Sequence, residues 1–307
     1  MKTSNDMQSY RTILLLIASL NFCSCGKPEV PNEGGEQSTA GESRFEATDA
    51  LMARVAANLS DFESVATIDH SRLAGAEGVT MPPAVVTIYT VPAVNTALMK
   101  ANPRVGLDLP LKILVFDGGA GASVSYPTSE FLAIRHGIAD KQALARYDSG
   151  MAAGLREIDT ELLAPVGADG VTRDYGIAEL VSDFPSKETI ARLKEAVMKQ
   201  GDTVWFGEVD LSADASAEGQ QIPSATLLLF GGPEPGGVAM AKFPKLGLDA
   251  FCQKILVYED EKGDVRILFN DIVALAKLHY GTSEKPHEVI NGRLFKTFEG
   301  AVKEKGA

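Results

Sequence analysis

From about Phe45 onward the chain alternates short apolar runs with segments of helical character. Thr48 or Asp49 can cap a helix through Ala57, and Ser186 followed by Lys187 and Glu188 can start another through Met198. Val65–Asp69 and Val204–Asp210 read as strands, and Val85–Tyr89 and Thr226–Phe230 as apolar strand cores rich in β-branched or bulky residues. A short helix is expected after each core, near Ala93–Lys100 and Gly236–Ala241. Lys112–Phe116 then turns into Val124–Tyr126 through Gly118–Gly121, and Lys254–Tyr258 into Val265–Phe269 through Glu261–Asp264, as antiparallel hairpins. Thr128 or Ser129, and Asn270 or Asp271, open one further helix each.

These elements come in pairs because the body is written twice. Asn102-Pro103-Arg104-Val105-Gly106-Leu107-Asp108 is echoed by Phe243-Pro244-Lys245-Leu246-Gly247-Leu248-Asp249, and Lys112–Phe116 by Lys254–Tyr258. Tyr89, Pro92 and Met99 match Phe230, Pro233 and Met240, and the helix ending in His136-Gly137 matches the one ending in His279-Tyr280-Gly281. The period is about 140 residues, far beyond the 20 to 50 of a solenoid repeat, so the pattern predicts a duplicated domain.

Gly-Leu-Asp followed by Lys-Ile-Leu-Val, an aromatic hairpin end and a helix closing on His-Gly resembles the domain-of-unknown-function 302 family (DUF302), once in each half. The resemblance implies an α+β fold of two tandem TATA-binding-protein-like domains, each a curved antiparallel sheet backed by helices. It implies no activity. The expected organisation is a signal peptide over residues 1–24, a tether over 25–44, a first domain over 45–158, a linker over 159–174 and a second domain over 175–307.

The segment before the first domain reads as an address. Lys2 and Arg11 precede the mostly apolar run Ile13–Leu20, which is too short to span a bilayer core. Leu20-Asn21-Phe22-Cys23-Ser24-Cys25-Gly26 resembles a bacterial lipobox, with Cys25 a better lipidation site than Cys23 because Ser24 suits the position before the cut. An acylated Cys25 makes the membrane a partner, each buried methylene contributing roughly 0.8 kcal/mol. Gly26 is not the Asp that holds many such proteins at an inner membrane, which favours the periplasmic side of the outer membrane; a soluble periplasmic or secreted protein is the alternative. Gly26–Glu42, rich in Gly, Glu, Pro and Ser, reads as the flexible tether. With Cys25 acylated and Cys23 removed, Cys252 stands alone, so no intramolecular disulfide is expected.

Composition narrows the function classes. Of 307 residues, 45% are hydrophobic and 23% charged, as in an ordinary folded protein, and 29 Lys and Arg against 41 Asp and Glu give a net charge of -12. With no basic cluster, nucleic acid is not an expected partner.

The distinctive polar residues are the duplicated ones. Asp108 with Lys112, and Asp249 with Lys254, read either as a turn former beside a lysine at the solvent-reaching start of a strand, or as the polar end of an apolar pocket that takes an anionic group. His136 and His279 read either as last-turn histidines favouring the negative helix end, or as ligand or acid–base groups. His70 is matched by Leu211, so any site that uses it belongs to the first half alone. No Cys pair or His-x-x-x-His offers zinc spacing, and no motif calls for a cofactor. Gly118–Gly121 reads as a turn, and Gly231–Gly237 leads into a short helix whose free N–H groups suit an anion. There is no Gly-x-Ser-x-Gly elbow or His-Glu-x-x-His, and Cys252 reads as buried and inert.

These residues favour a lipid-anchored envelope protein of unknown activity. Its two domains would form an intramolecular pseudo-dimer that binds a small molecule or protein partner through Asp108, Lys112, His136, Asp249, Lys254 and His279, with His70 beside them. The alternatives are an envelope hydrolase or isomerase using the same groups as acid and base, and a structural envelope component.

Overall fold

The structure, a computed structural model, describes residues 34–304 except Cys252, with side chains from residue 42 onward. The signal peptide, Cys23, Cys25, the first part of the tether through residue 33 and Cys252 therefore lie outside the described residues.

The first half runs α1 (Gly34–Asn58), β1 (Glu63–Asp69), α2 (His70–Ala76), β2 (Ala84–Thr90), α3 (Pro92–Ala101), a 3-10 turn (Pro103–Leu107), β3 (Leu111–Asp117), β4 (Ala122–Ser125), α4 (Ser129–His136) and α5 (Lys141–Gly154). After a 3-10 turn at Thr160–Leu162, the second half runs β5 (Ile177–Val181), α6 (Ser186–Met198), β6 (Val204–Asp210), α7 (Leu211–Ala217), β7 (Ala225–Gly231), α8 (Pro233–Met240), a 3-10 turn (Pro244–Leu248), β8 (Gln253–Glu259), β9 (Val265–Asn270), α9 (Ile272–Tyr280) and α10 (Lys285–Val302). The fold is α+β, in two tandem domains. All sheet pairings are antiparallel, in the orders β1-β2-β3-β4 and β5-β9-β8-β7-β6.

Both expected hairpins form. Val115 faces Val124, and Val257 faces Ile267. Thr128 and Asp271 cap α4 and α9 by accepting from the backbone N–H groups of Phe131 and Ala274. Gly137 and Gly281 end those helices at φ 62 and 70, a left-handed conformation that costs glycine nothing.

Two expectations differ. α1 begins at Gly34, inside the segment read as tether, and Arg44 pins its polar stretch to Asp117 at the end of β3. The segment read as a linker is held to the first sheet: Leu163 and Val166 bridge in parallel to Val124 and Pro127, lining the open edge of β4. That edge offers N–H and C=O groups, which a neighbouring extended segment satisfies.

The halves pack against each other through matching elements. α2 of the first half lies on α8 of the second, and α3 on α7, which is the same contact seen from the other side. Helices α1 and α5 cover one face of the first sheet, and the 3-10 turn Pro244–Leu248 of the second half covers the other through β2 and β3. The first half's turn Pro103–Leu107 reciprocates on β7, β8 and β9. This explains the repeated glycine of the Gly-Leu-Asp motif. A Cβ on Gly106 would lie 2.8 Å from Leu256 Cδ1, and one on Gly247 2.8 Å from His70 Cδ2 and 3.2 Å from Leu114 Cδ1. One continuous core results, running from Leu51 to Val302.

Candidate functional site: a sealed charge network at the seam

Each Gly-Leu-Asp turn ends on an aspartate that the other half's sheet buries. Asp108 and Asp249 follow their 3-10 turns, and Lys112 and Lys254 are the second residues of β3 and β8. All four side chains are at most 2% exposed. The reading of these lysines as solvent-reaching is corrected: β3 is buried at every position because the second half covers the face that a lone domain would give to water.

Lys112 is the bridge. Its Nζ donates to the Asp108 carbonyl at 3.1 Å and to Asp108 Oδ1 at 3.2 Å within its own half, and pairs across the seam with Asp249 Oδ1 at 2.7 Å. Lys254 has a poorer setting, with Asp249 Oδ1 at 3.0 Å. Arg135, in the last turn of α4, was not predicted. It places Nη1 2.7 Å from Asp108 Oδ2 and Nη2 2.7 Å from Asn270 Oδ1, and donates from Nε to the Tyr175 carbonyl at 2.9 Å. Asn270 was also missed as a network member; its Nδ2 donates to the Asp249 carbonyl at 3.0 Å. The adjacent His136 completes Asp108 through Nε2 at 2.6 Å. Because a carboxylate only accepts, Nε2 carries that proton, and the buried Nδ1 has no partner.

Six of the seven predicted residues fall at this seam cluster, though His279 only borders it. Its Nε2 is shielded from solvent without a hydrogen-bond partner. His70 stands apart, as the first residue of α2, donating from Nε2 to the Gly247 carbonyl at 3.0 Å. It too is a seam residue, tied to the turn that carries Asp249.

Charge explains the titration behaviour. Burial alone would raise the Asp108 carboxyl, but Arg135, Lys112 and His136 outweigh it and hold the group well below the usual carboxylate range. Asp249 is likewise lowered, burial being overcome by Lys112 and Lys254. Burial pulls Lys112 down, yet Asp249 and Asp108 raise it above its ordinary value. For Lys254, burial and repulsion from Lys112 win, lowering it to about 8. Burial depresses His70 to about 4, against its bond to Gly247, and His279 to about 4, against Asp249. His136 is lowered for the same reason despite Asp108. The histidines are thus neutral, and three cations face two carboxylates.

The glycines before and within α8 have packing roles. A Cβ on Gly231 would lie 2.7 Å from Phe206 Cε2, and one on Gly237 2.5 Å from Ala74 Cβ on α2, so they admit close approach within and between the halves. Among the described residues, no group of three or more His, Cys, Asp or Glu is placed to hold a metal ion, and no helix is long and apolar enough to cross a membrane.

The fold and seam define a tandem α+β protein whose two halves share one core. The chain belongs to the family described as Domain of unknown function DUF302, which matches residues 38–154 and 178–294. It is 34% identical over 106 residues to the fluoride-specific ion channel FluC 1 of Brucella suis, covering 34% of this chain and 41% of the channel. FluC 2 of Brucella melitensis gives 34% identity over 106 residues, covering 38% of its length. The chain therefore spans about two fifths of the curated relatives it matches. A solved structure titled an uncharacterized conserved protein DUF302 from Bacillus stearothermophilus aligns with a TM-score of 0.35 at 16% identity, covering 41% of this chain and 95% of that one.

Proposed function

We propose that the protein is a lipid-anchored binding protein of the bacterial envelope, in which the charge network holds the two halves in one frame and a surface built from both takes the ligand. The observation behind this reading is that the duplicated polar set is spent on itself. An acid–base group must come within hydrogen-bond reach of its substrate. Asp108, Lys112 and His136 are at most 1% exposed, and both carboxylates are already occupied by protein cations. This supports binding over the hydrolase or isomerase reading.

Native mass spectrometry of the chain, purified gently from a bacterial envelope, tests it. Excess mass that is lost on denaturation, and changed in composition when the surface between the halves is altered, is the expected result. A clean mass together with no captured partner would overturn the reading in favour of a structural component. The same spectra test the anchor: an N-terminal peptide beginning at a diacylated Cys25 is expected, and an unmodified one beginning elsewhere contradicts it.

The FluC similarity favours a second reading, an accessory role beside a membrane ion channel, because the shared 106 residues are about one repeat long. Co-purification with a FluC-type channel from the same membrane would support it, and full independence of fluoride tolerance from the protein would count against it.

A further inference from the structure

A groove of about 340 Å³ opens on the seam between α3, α5 and the segment just after α7, so that both halves form its wall. That volume falls within the range of small-molecule sites. Its floor is cut by Ala93, Ala97 and Ala143, whose short side chains leave the space open. Lys100 of α3 and Gln220 of the second half meet across it at 2.7 Å, which ties the groove's width to the packing of the two halves.

The charges on the rim come in opposite kinds. Arg146 and Glu218 make no ion pair or side-chain hydrogen bond among the described residues, and Lys100 is held only by a neutral amide. Asp140 is committed elsewhere, its Oδ1 accepting from the Gln142 and Ala143 backbone N–H groups at the start of α5. Beneath them Thr96, 4% exposed, presents a buried Oγ1 with no partner. Buried polar atoms without partners are uncommon in folded proteins, and a ligand is one means of satisfying them.

The equivalent groove of the second half lies between α8 and α10. It is of similar size, about 440 Å³, and joins Pro235, Val238, Pro286, Val289 and Ile290 to the charged Asp202, Glu234 and Lys285, of which Asp202 pairs with Arg293 and Lys285 with Glu288. Of the two grooves, the first alone is lined by an arginine, Arg146.

We propose that the α3–α5–α7 groove binds a small zwitterion of the amino-acid type. Its carboxylate would lie against Arg146 and Lys100, its ammonium group against Glu218, and a polar end would reach Thr96. A guanidinium fork suits a carboxylate, whereas a simple anion would be repelled by Glu218. The inference rests on the ligand-binding reading above and names its site and ligand class.

Calorimetric titration of the full chain with each free amino acid, using acetate and ethylammonium as half-ligand controls, tests it. At least one amino acid should bind saturably where neither control does, and Arg146→Gln and Glu218→Gln should each weaken that binding by about tenfold or more. Both side chains are exposed, so the variants should keep the unliganded melting temperature. Binding by acetate alone, binding untouched by either substitution, or no response to any amino acid would overturn the inference. If native mass spectrometry still finds a bound molecule in the last case, the groove assignment fails and the broader reading stands; if it finds none, both fail.

Discussion

Asp108 and Asp249 occupy the same place in the two repeats, yet their surroundings differ. Asp108 has Lys112, Arg135 and His136 around it, whereas Asp249 has Lys112 and Lys254. Where the first half has Arg135 the second has Leu278, and where the second has Asn270 the first has Pro127. Lys112 takes the carbonyl of its own aspartate, while in the second half Asn270 takes the corresponding one. His70, bonded to the second half's turn, faces Leu211 as its counterpart. A duplicated pair is thus free to divide labour: the shared Asp and Lys fix the seam, and the unshared residues make one side of it the better satisfied.

The largest expected effect is at Asp108. Asp108→Asn leaves Lys112, Lys254 and Arg135 buried with one carboxylate among them, and should cost about 3–5 kcal/mol in denaturant unfolding. Asp249→Asn should cost less, because Lys254, already lowered to about 8, can shed its proton. Equal losses would erase the asymmetry.

Acid comes next. His70 and His279 have folded-state pKa values near 4, below the ordinary 6.5, so the unfolded chain binds more protons between those limits. Stability should be full above about pH 6.5 and fall as pH drops towards 4, by on the order of 3 kcal/mol for His70. His70→Leu, which installs the second half's residue, should flatten the dependence of melting temperature on pH. An unchanged slope would mean that other groups carry it.

The two motif glycines should then part company. Gly247→Ala drives a Cβ against the His70 ring, whose bond fixes it in place, and should cost about 1–3 kcal/mol. Gly106→Ala meets the flexible ends of Leu256, Leu211 and Met99 and should cost about 1 kcal/mol or less. Thermal melts of the two variants compare them directly.

The smallest effect is expected at Lys254. Lys254→Met removes the cation in excess and leaves two carboxylates with two cations, so stability should change by less than about 1 kcal/mol. Lys112→Met strips the bridge from both carboxylates and should cost at least about 2 kcal/mol more.

Much of this was legible in the sequence, and the limits have a physical cause. Repetition exposed the tandem fold, both hairpins, the capped helices α4 and α9, and the six duplicated polar positions that meet at the seam. It was silent on Arg135 and Asn270, which lack counterparts, although Arg135 lies next to His136 and so shares the last turn of α4. Burial was misjudged for Lys112 because the face of a strand that meets water in a lone domain meets the second half here. A period marks which positions are kept, not what covers them, and the contacts of α1 and of residues 160–174 likewise depend on tertiary packing.

Lys112 locks the halves together through Asp249. A double-mutant cycle on equilibrium unfolding, with Lys112→Met, Asp249→Asn and the double variant, measures that pair across the seam. A coupling of at least about 1.5 kcal/mol is expected. A coupling below about 0.5 kcal/mol, within the additivity of independent sites, would contradict it.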